Sequence, residues 1–346
     1  MDSTIFLFLV QDGITNGAVY ALLGFALVLV FAVTRIVLIP QGEFVAYGGL
    51  TYAVLQAGQM PGTVWLMLTL GLAAFVLDVV ALRRELTAAM LLRAVATKIA
   101  LPLAILGACK LGTGPAGGPL LHAALTIAIV GAIGPYLYRI AFEPMADASV
   151  LTLFITAMGV HLAMLGLGLV LFGPEGLRAP PLVDVSVSAG PLMISAQSIA
   201  VYLTALVLMV ALYLFFDRTV TGKALRATAM NRVGARLVGI RLALSGRLAL
   251  ALAAAIGAVS GILIVPATTL YYDTGFLIGL KGFVAAIIGG LVSHPVTAVA
   301  ALLVGLVEAF AAFFASNYKE VIVFTLLLPV LVWRSLAVPH VDEEQD

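Results

Sequence analysis

Charge is what this sequence has least of. Asp, Glu, Lys and Arg together make up 10% of its 346 residues. A water-soluble protein of this length covers its exterior with far more charge than that, so the shortage excludes a soluble globule. Cysteine is rarer still: Cys109 stands alone, which excludes an internal disulfide and a cysteine-based metal cluster. Its thiol reads as a small apolar group near a helix end. The four histidines, His122, His161, His294 and His340, have no ligand spacing, so no metal site is expected. The Gly-x-x-x-x-Gly-Lys-Ser/Thr phosphate loop is missing as well, and Gly222-Lys223 runs into Ala224 with no such loop around it. The chain therefore has no phosphate-loop route to ATP hydrolysis and needs no cofactor of its own. No His-Glu-x-x-His or Ser/His/Asp grouping marks an enzyme. A net charge of +1 offers nothing to nucleic acid. The start, Met1-Asp2-Ser3-Thr4, has no basic stretch ahead of the first apolar run, so no cleavable signal peptide is expected.

What fills the space is hydrocarbon. Hydrophobic residues reach 63%, and the mean hydropathy is +1.17. Apolar runs recur along the whole chain, and about 20 such residues span a bilayer. The runs are too long and too uniform for barrel strands. Helices remain, because they satisfy their own backbone hydrogen bonds inside lipid. The 34 glycines suit close helix contacts. The fold class expected is an all-α polytopic transmembrane bundle forming one domain over residues 1–346, with about 10–11 membrane segments. They are read at 10–33, 43–57, 62–82, 86–108, 119–141, 148–172, 198–217, 247–271, 276–292, 295–315 and 320–337. The second is short. The fourth carries Arg93 and Lys98 and reads equally as an interfacial segment. Gly289-Gly290 and His294-Pro295 argue for a break within 276–315.

Basic residues orient such a bundle. With the N-terminus outside and the segments alternating, the inner side holds Arg35, Arg83, Arg84, Arg139, the seven basic residues of 218–247, and Arg334. The outer side holds only Lys110, Arg178, Lys281 and Lys319. That bias predicts N-out/C-in, with the acidic tail 339–346 inside. The outer connection 173–197 contains Gly173-Pro174-Glu175-Gly176 and Ala179-Pro180-Pro181 and reads as a turn-rich surface segment. The inner connection 218–246 has no acidic residue between Arg218 and Arg247. Within it Asn231 suits an N-cap and Gly239 a C′ position, framing a short helix of about two turns. A helix that short needs a partner surface, either the lipid headgroups or another protein.

Ionisable groups within apolar runs are expensive and so draw attention. Glu308 lies mid-span and Glu43 opens the second segment beside Gln41-Gly42. Each reads either as a polar element of a pathway through the bundle or as a hydrogen-bonded brace between helices. Asp273 and Lys281 are placed at the outer rim, either solvated or within reach of a docked partner.

Several blocks carry a resemblance in order and spacing over about 300 residues. The inner loop has Gly222, Ala224, Arg226, Ala227, Ala229 and Asn231, then Ala235-x-Leu237-x-Gly239-Ile240. Asp12-Gly13 through Tyr20-Ala21-Leu22 opens the first long span, and Gln41-Gly42-Glu43-Phe44 opens the second. Leu280-Lys281-Gly282-Phe283 leads to Gly289-Gly290, followed by Gly305-Leu306-Val307-Glu308 and Tyr318-Lys319. Together these resemble the high-affinity branched-chain amino-acid ABC permease family. The resemblance implies a bacterial inner-membrane permease subunit that works with a second homologous permease, two ATPase subunits carrying ATP and Mg, and a soluble substrate-binding protein. It also implies that Gly222, Arg226, Ala227, Asn231, Arg232, Ala235, Leu237, Gly239 and Ile240 form the ATPase-coupling element. Gln41, Glu43, Asp273, Lys281 and Glu308 are candidates for the substrate pathway. The competing reading is an ion-coupled secondary transporter with Glu308 and Glu43 as coupling carboxylates. Two features depart from the family. Residues about 70–120 look like an inserted pair of membrane segments, and Phe142-Glu143-Pro144-Met145 replaces a basic Arg-Pro-x-Arg motif.

Overall fold

The computed structural model describes residues 3–82, 87–113, 117–181, 186–189, 192–326, 328–330 and 332. Eight helical stretches are long and apolar enough to cross a membrane. Helix α1 (Ser3–Thr34) is the central post, buried continuously from Gly17 to Val30. Helix α3 (Thr63–Leu82) follows the short α2 (Gln41–Gln56). Helices α4 (Ala88–Val95) and α5 (Leu101–Gly112) continue into one another through a π turn at Ala96–Ala100. The resulting rod, 88–112, has the length and apolarity of a membrane span. Helix α6 (Pro119–Leu137) runs into a second π turn, Tyr138–Phe142, and a 3-10 turn, Glu143–Met145. Then come α7 (Val150–Phe172), α8 (Ala196–Arg218), α9 (Val220–Met230), α10 (Arg232–Leu237), α11 (Leu242–Ile264), α12 (Thr274–Ile288), α13 (His294–Phe314) and α14 (Lys319–Thr325).

The expected break within 276–315 is real: α12 ends at Ile288 and α13 starts at His294. Gly290 and Leu291 both take positive φ in the turn between them. The connection 173–197 holds more order than its turn residues suggest. Strands β1 (Ser186–Ala189) and β2 (Leu192–Ser195) pair antiparallel, with Ser186 opposite Ser195 and Ala189 opposite Leu192. Leu177 also exchanges backbone hydrogen bonds with Leu270, tying this connection to the one after α11. The last expected segment, 320–337, is described as helix only in part, and the acidic tail 339–346, Arg83, Arg84 and Arg334 lie outside the described residues.

Two short helices set the interior. A helix of 16 residues is about 24 Å long, shorter than the hydrocarbon core. Helix α2 starts midway along α11, because the Gln41 amide donates to the Ala253 carbonyl at 3.1 Å. The segment before it, 35–40, descends into the bundle with Ile36 and Leu38 buried. Helix α12 starts against the same point. A Cβ on Gly42 would lie 2.1 Å from the Gly275 carbonyl oxygen, and a Cβ on Gly275 2.3 Å from that of Gly42. Only glycine lets the two helix starts meet backbone to backbone. The outer helices are packed differently. Helix α8 buries little beyond Gln197, Val201 and Leu212 and leaves Leu203, Leu206, Val207 and Tyr213 exposed, as expected of a helix with one face toward lipid.

Candidate functional site

The connection 218–246 is a pair of short helices rather than a loop. Thr219 ends α8 and caps α9, its hydroxyl accepting from the Gly222 amide at 2.9 Å. Read from sequence, a helix is framed only after Asn231, and α9 is left as connection. The stretch after Gly222, Lys223-Ala224-Leu225-Arg226-Ala227-Thr228-Ala229-Met230, is made largely of helix formers, and it propagates the helix once Thr219 has capped it. Asn231 ends α9 and caps α10 as expected, its side-chain oxygen accepting from the Gly234 amide at 2.8 Å. The far end of α10 closes in a Schellman motif. The Ile240 amide donates to the Ala235 carbonyl at 2.9 Å and the Gly239 amide to Arg236 at 3.1 Å. Gly239 sits at φ 87°, where a side chain is strained.

The coupling residues named from sequence divide into two groups. Gly222 and Ala235 are buried within the chain itself, Gly222 against the Phe215 backbone and Ala235 only 3% exposed. Ala227, Arg232 and Ile240 are half-buried, and the Arg232 guanidinium donates to the Ala146 carbonyl at 3.4 Å. Arg226, Asn231, Leu237 and Gly239 are exposed. Of the alanines in this element, Ala235 therefore packs inward, Ala224 and Ala227 are half-buried and Ala229 is exposed. The free face is the larger apolar one, with Met230, Val233, Leu237 and Val238 all exposed. These four side chains cluster in the most basic part of the chain, where a solvated loop has no use for them.

The junction of α2 and α12 gathers a second group. Glu43 is fully buried and its carboxylate lies 3.0 Å from His161 Nδ1 on α7. The His161 ring lies against Phe276 of α12, with centroids 4.8 Å apart. Gln41 is 1% exposed. Asp273, just before α12, is exposed. The Tyr47 hydroxyl donates to the Met164 carbonyl at 2.6 Å, a second tie between α2 and α7.

Lys281 is not at the rim. It is 5% exposed, and its ammonium group donates to Glu308 at 2.6 Å and to Glu320 at 3.1 Å. The other Glu308 oxygen accepts from the Tyr20 hydroxyl at 2.5 Å. This cluster joins α1, α12, α13 and α14. Sequence reading put Lys281 outside because it lies only two turns into its segment, but α12 begins inside the bundle and carries Lys281 inward. Both Glu308 oxygens are thus occupied.

A third cluster went unnoticed in the sequence. Asp78 of α3 accepts from Lys98 in the π turn of the 88–112 rod, and from Arg139 Nε at 2.5 Å. Glu143 takes both arms of the Arg247 guanidinium, at 2.7 and 2.9 Å. The signals were present as the unusual polarity of 78–98 and as the acid replacing a basic motif at 143. Pairing them required knowledge of which helices are neighbours. Among the described residues no group of His, Cys, Asp and Glu is arranged to hold a metal ion.

Residues 9–331 match the family described as the branched-chain amino acid transport system permease component. The high-affinity branched-chain amino acid transport system permease protein BraD of Pseudomonas aeruginosa is 29% identical over 230 residues, covering 64% of this chain and 75% of that protein. The permease protein LivH of Escherichia coli K12, from a transport system of the same description, is 28% identical over 217 residues, 60% of this chain and 69% of its own. No solved structure matches at a significant level. With a family match across nearly its whole length and a bundle of membrane-length helices, this chain belongs to the branched-chain amino acid transport permease family.

Proposed function

We propose that the chain is a permease subunit of an ABC importer in the bacterial inner membrane, moving branched-chain amino acids or a related small metabolite. ATP is hydrolysed by two partner ATPase subunits, a second homologous permease completes the pathway, and a soluble binding protein delivers substrate. The observation that carries this reading is the α9–α10 pair. One side-chain cap and a Schellman motif hold the six-residue helix α10 in shape, and its exposed face is apolar where the chain is most basic. Such a helix is marginal alone and finds its stability against a partner groove. Arginines beside the apolar face, Arg226 and Arg236, are placed to pair with acids at the groove's rim. The N-out/C-in orientation puts this element on the side where ATP is available.

The ion-coupled alternative asks Glu43 and Glu308 to gain and lose ions during transport. Glu43 lies beside His161, while the Glu308 carboxylate is engaged by Lys281 and Tyr20, which suits a brace better than a shuttle. Reconstitution tests the choice. The chain together with its ATPases in proteoliposomes is expected to take up substrate when supplied with ATP and to ignore collapse of the proton or sodium gradient. Gradient-driven uptake by the purified chain alone would refute the importer reading.

A further inference from the structure

The third charge cluster has no role in the pathway or in docking as described above, yet it is the most heavily built polar feature at the α9–α10 end of the bundle. Three cations, Lys98, Arg139 and Arg247, surround two carboxylates, Asp78 and Glu143. Their side chains are only 7 to 28% exposed. Lys98 also donates to the Ala74 carbonyl at 3.1 Å. Arg139 reaches Glu143 at 3.3 Å, and Arg247 reaches Asp78 at 3.6 Å, so the five groups form one closed set.

Backbone geometry shows how the set is aimed. Lys98 lies in the π turn Ala96–Ala100 and Arg139 in the π turn Tyr138–Phe142. A π turn adds a residue to one helical turn and rotates the side chains that follow, at a cost in hydrogen-bond geometry. Here two separate helices accept that cost at the residues that present their bases to Asp78. Much of the rod 88–112 faces away from the bundle, with Met90, Leu91, Leu92, Leu101 and Leu103 exposed. Lys98 is its polar tie to α3, while on the α6 side Tyr136 donates to the Thr97 carbonyl at 2.6 Å and His122 contacts the Gly112 carbonyl at 3.1 Å.

On the other side the cluster meets the docking element. Arg247 lies in the second turn of α11, where Ser245 contacts Thr228 of α9 hydroxyl to hydroxyl at 3.3 Å. Glu143 opens the 3-10 turn that ends at Ala146, and the Ala146 carbonyl receives Arg232 of α10 at 3.4 Å. Arg236 of α10 adds a weak exposed pair with Asp147 at 3.6 Å. The docking helices thus rest on the same two short segments that carry Glu143 and Arg247.

We propose that Asp78 and Glu143 are positioning residues that clamp the 88–112 rod and the α9–α10 docking element into one rigid body, so that motion imposed on the docking element is delivered to the rod. The functional consequence rests on the importer reading, but the clamp is a property of this chain alone. Removing one member of a buried ion set leaves an uncompensated charge, whereas removing a pair restores stability. A cluster that serves stability only is therefore fully repaired in Asp78→Asn/Lys98→Met. A clamp is not, because the rod has lost its polar attachment to α3.

The test uses the full chain with Cys109→Ser and spin labels on cysteines introduced at Leu92 in the rod and Val233 on α10, both 71% exposed. Distances are measured on the purified chain in lipid nanodiscs without ATPases. The parent is expected to show one narrow distribution. Asp78→Asn/Lys98→Met is expected to recover the parent's thermal midpoint while its distribution broadens or splits. Glu143→Gln, which spares the Asp78–Lys98 pair, is expected to broaden it as well. Distributions as narrow as the parent's in both variants, or a parent that is already broad, overturn the clamp. With ATPases present, the double variant is expected to keep them bound while substrate-stimulated hydrolysis falls roughly tenfold, the size of a typical coupling energy. A parent that binds no ATPase refutes the importer reading and leaves the distance result standing.

Discussion

Lys281 and Glu308 carry the clearest consequences at the scale of single residues. Glu308 holds Lys281 on one oxygen and Tyr20 on the other, while Lys281 keeps a second carboxylate, Glu320, at 3.1 Å. Glu308→Gln preserves the shape and a hydrogen bond to Tyr20, and Lys281 retains Glu320. Insertion and folding are expected to survive, with uptake reduced but not abolished, a loss of about 1–3 kcal/mol in stability. Lys281→Met is expected to be worse, about 3–5 kcal/mol, because it leaves two carboxylates facing each other without their cation. Thermal unfolding in detergent and uptake at matched expression check both. Normal assembly with complete loss of uptake in Glu308→Gln would instead mark it as a coupling carboxylate. Small residues matter as much as charged ones here. Gly42→Val places branched carbons on the Gly275 backbone and is expected to prevent α2 and α12 from meeting, seen as loss of folded protein on size-exclusion chromatography.

At the scale of elements, the α9–α10 pair has an inner and an outer face with different predictions. Ala235 faces inward at 3% exposure, so Ala235→Glu buries an unpaired charge within the chain and is expected to lower its own stability by several kcal/mol. Val233 and Leu237 face outward, so Leu237→Glu is expected to leave stability unchanged and to reduce ATPase co-purification more than tenfold, by about 1.4 kcal/mol or more. Arg226→Ala removes one exposed charge and is expected to cost under about 1 kcal/mol. Normal co-purification and normal ATP hydrolysis with Leu237→Glu would show that this face docks nothing.

The whole bundle makes one prediction that needs no partner. If it sits N-out/C-in, then in a Cys109→Ser background a cysteine at exposed Lys110 is expected to react with a membrane-impermeant maleimide in intact cells. A cysteine at Val233 is expected to react only after permeabilisation. The opposite pattern would invert the topology and place α9–α10 away from ATP. The same orientation puts Arg139 and Arg247 of the clamp toward the inner side, two of the basic residues whose bias predicts it.

Composition by itself determined that this chain is a helical membrane bundle, because 63% apolar residues leave no other way to satisfy the backbone. The capped helix at 232–237 and the break after Ile288 were also legible, since caps and glycine turns act over a few neighbouring residues. Tertiary structure alone decided where the charges go. Asp78 finds Arg139 and Glu143 finds Arg247, 61 and 104 residues apart in sequence. Lys281 moves from the rim to the interior because α12 starts inside the bundle. The inward turn of Ala235 follows from α9, whose start depends on a single threonine cap. In an apolar bundle the helices are alike in pattern, so periodicity does not say which of them are neighbours. The partners of the few charged side chains are set by that choice of neighbours.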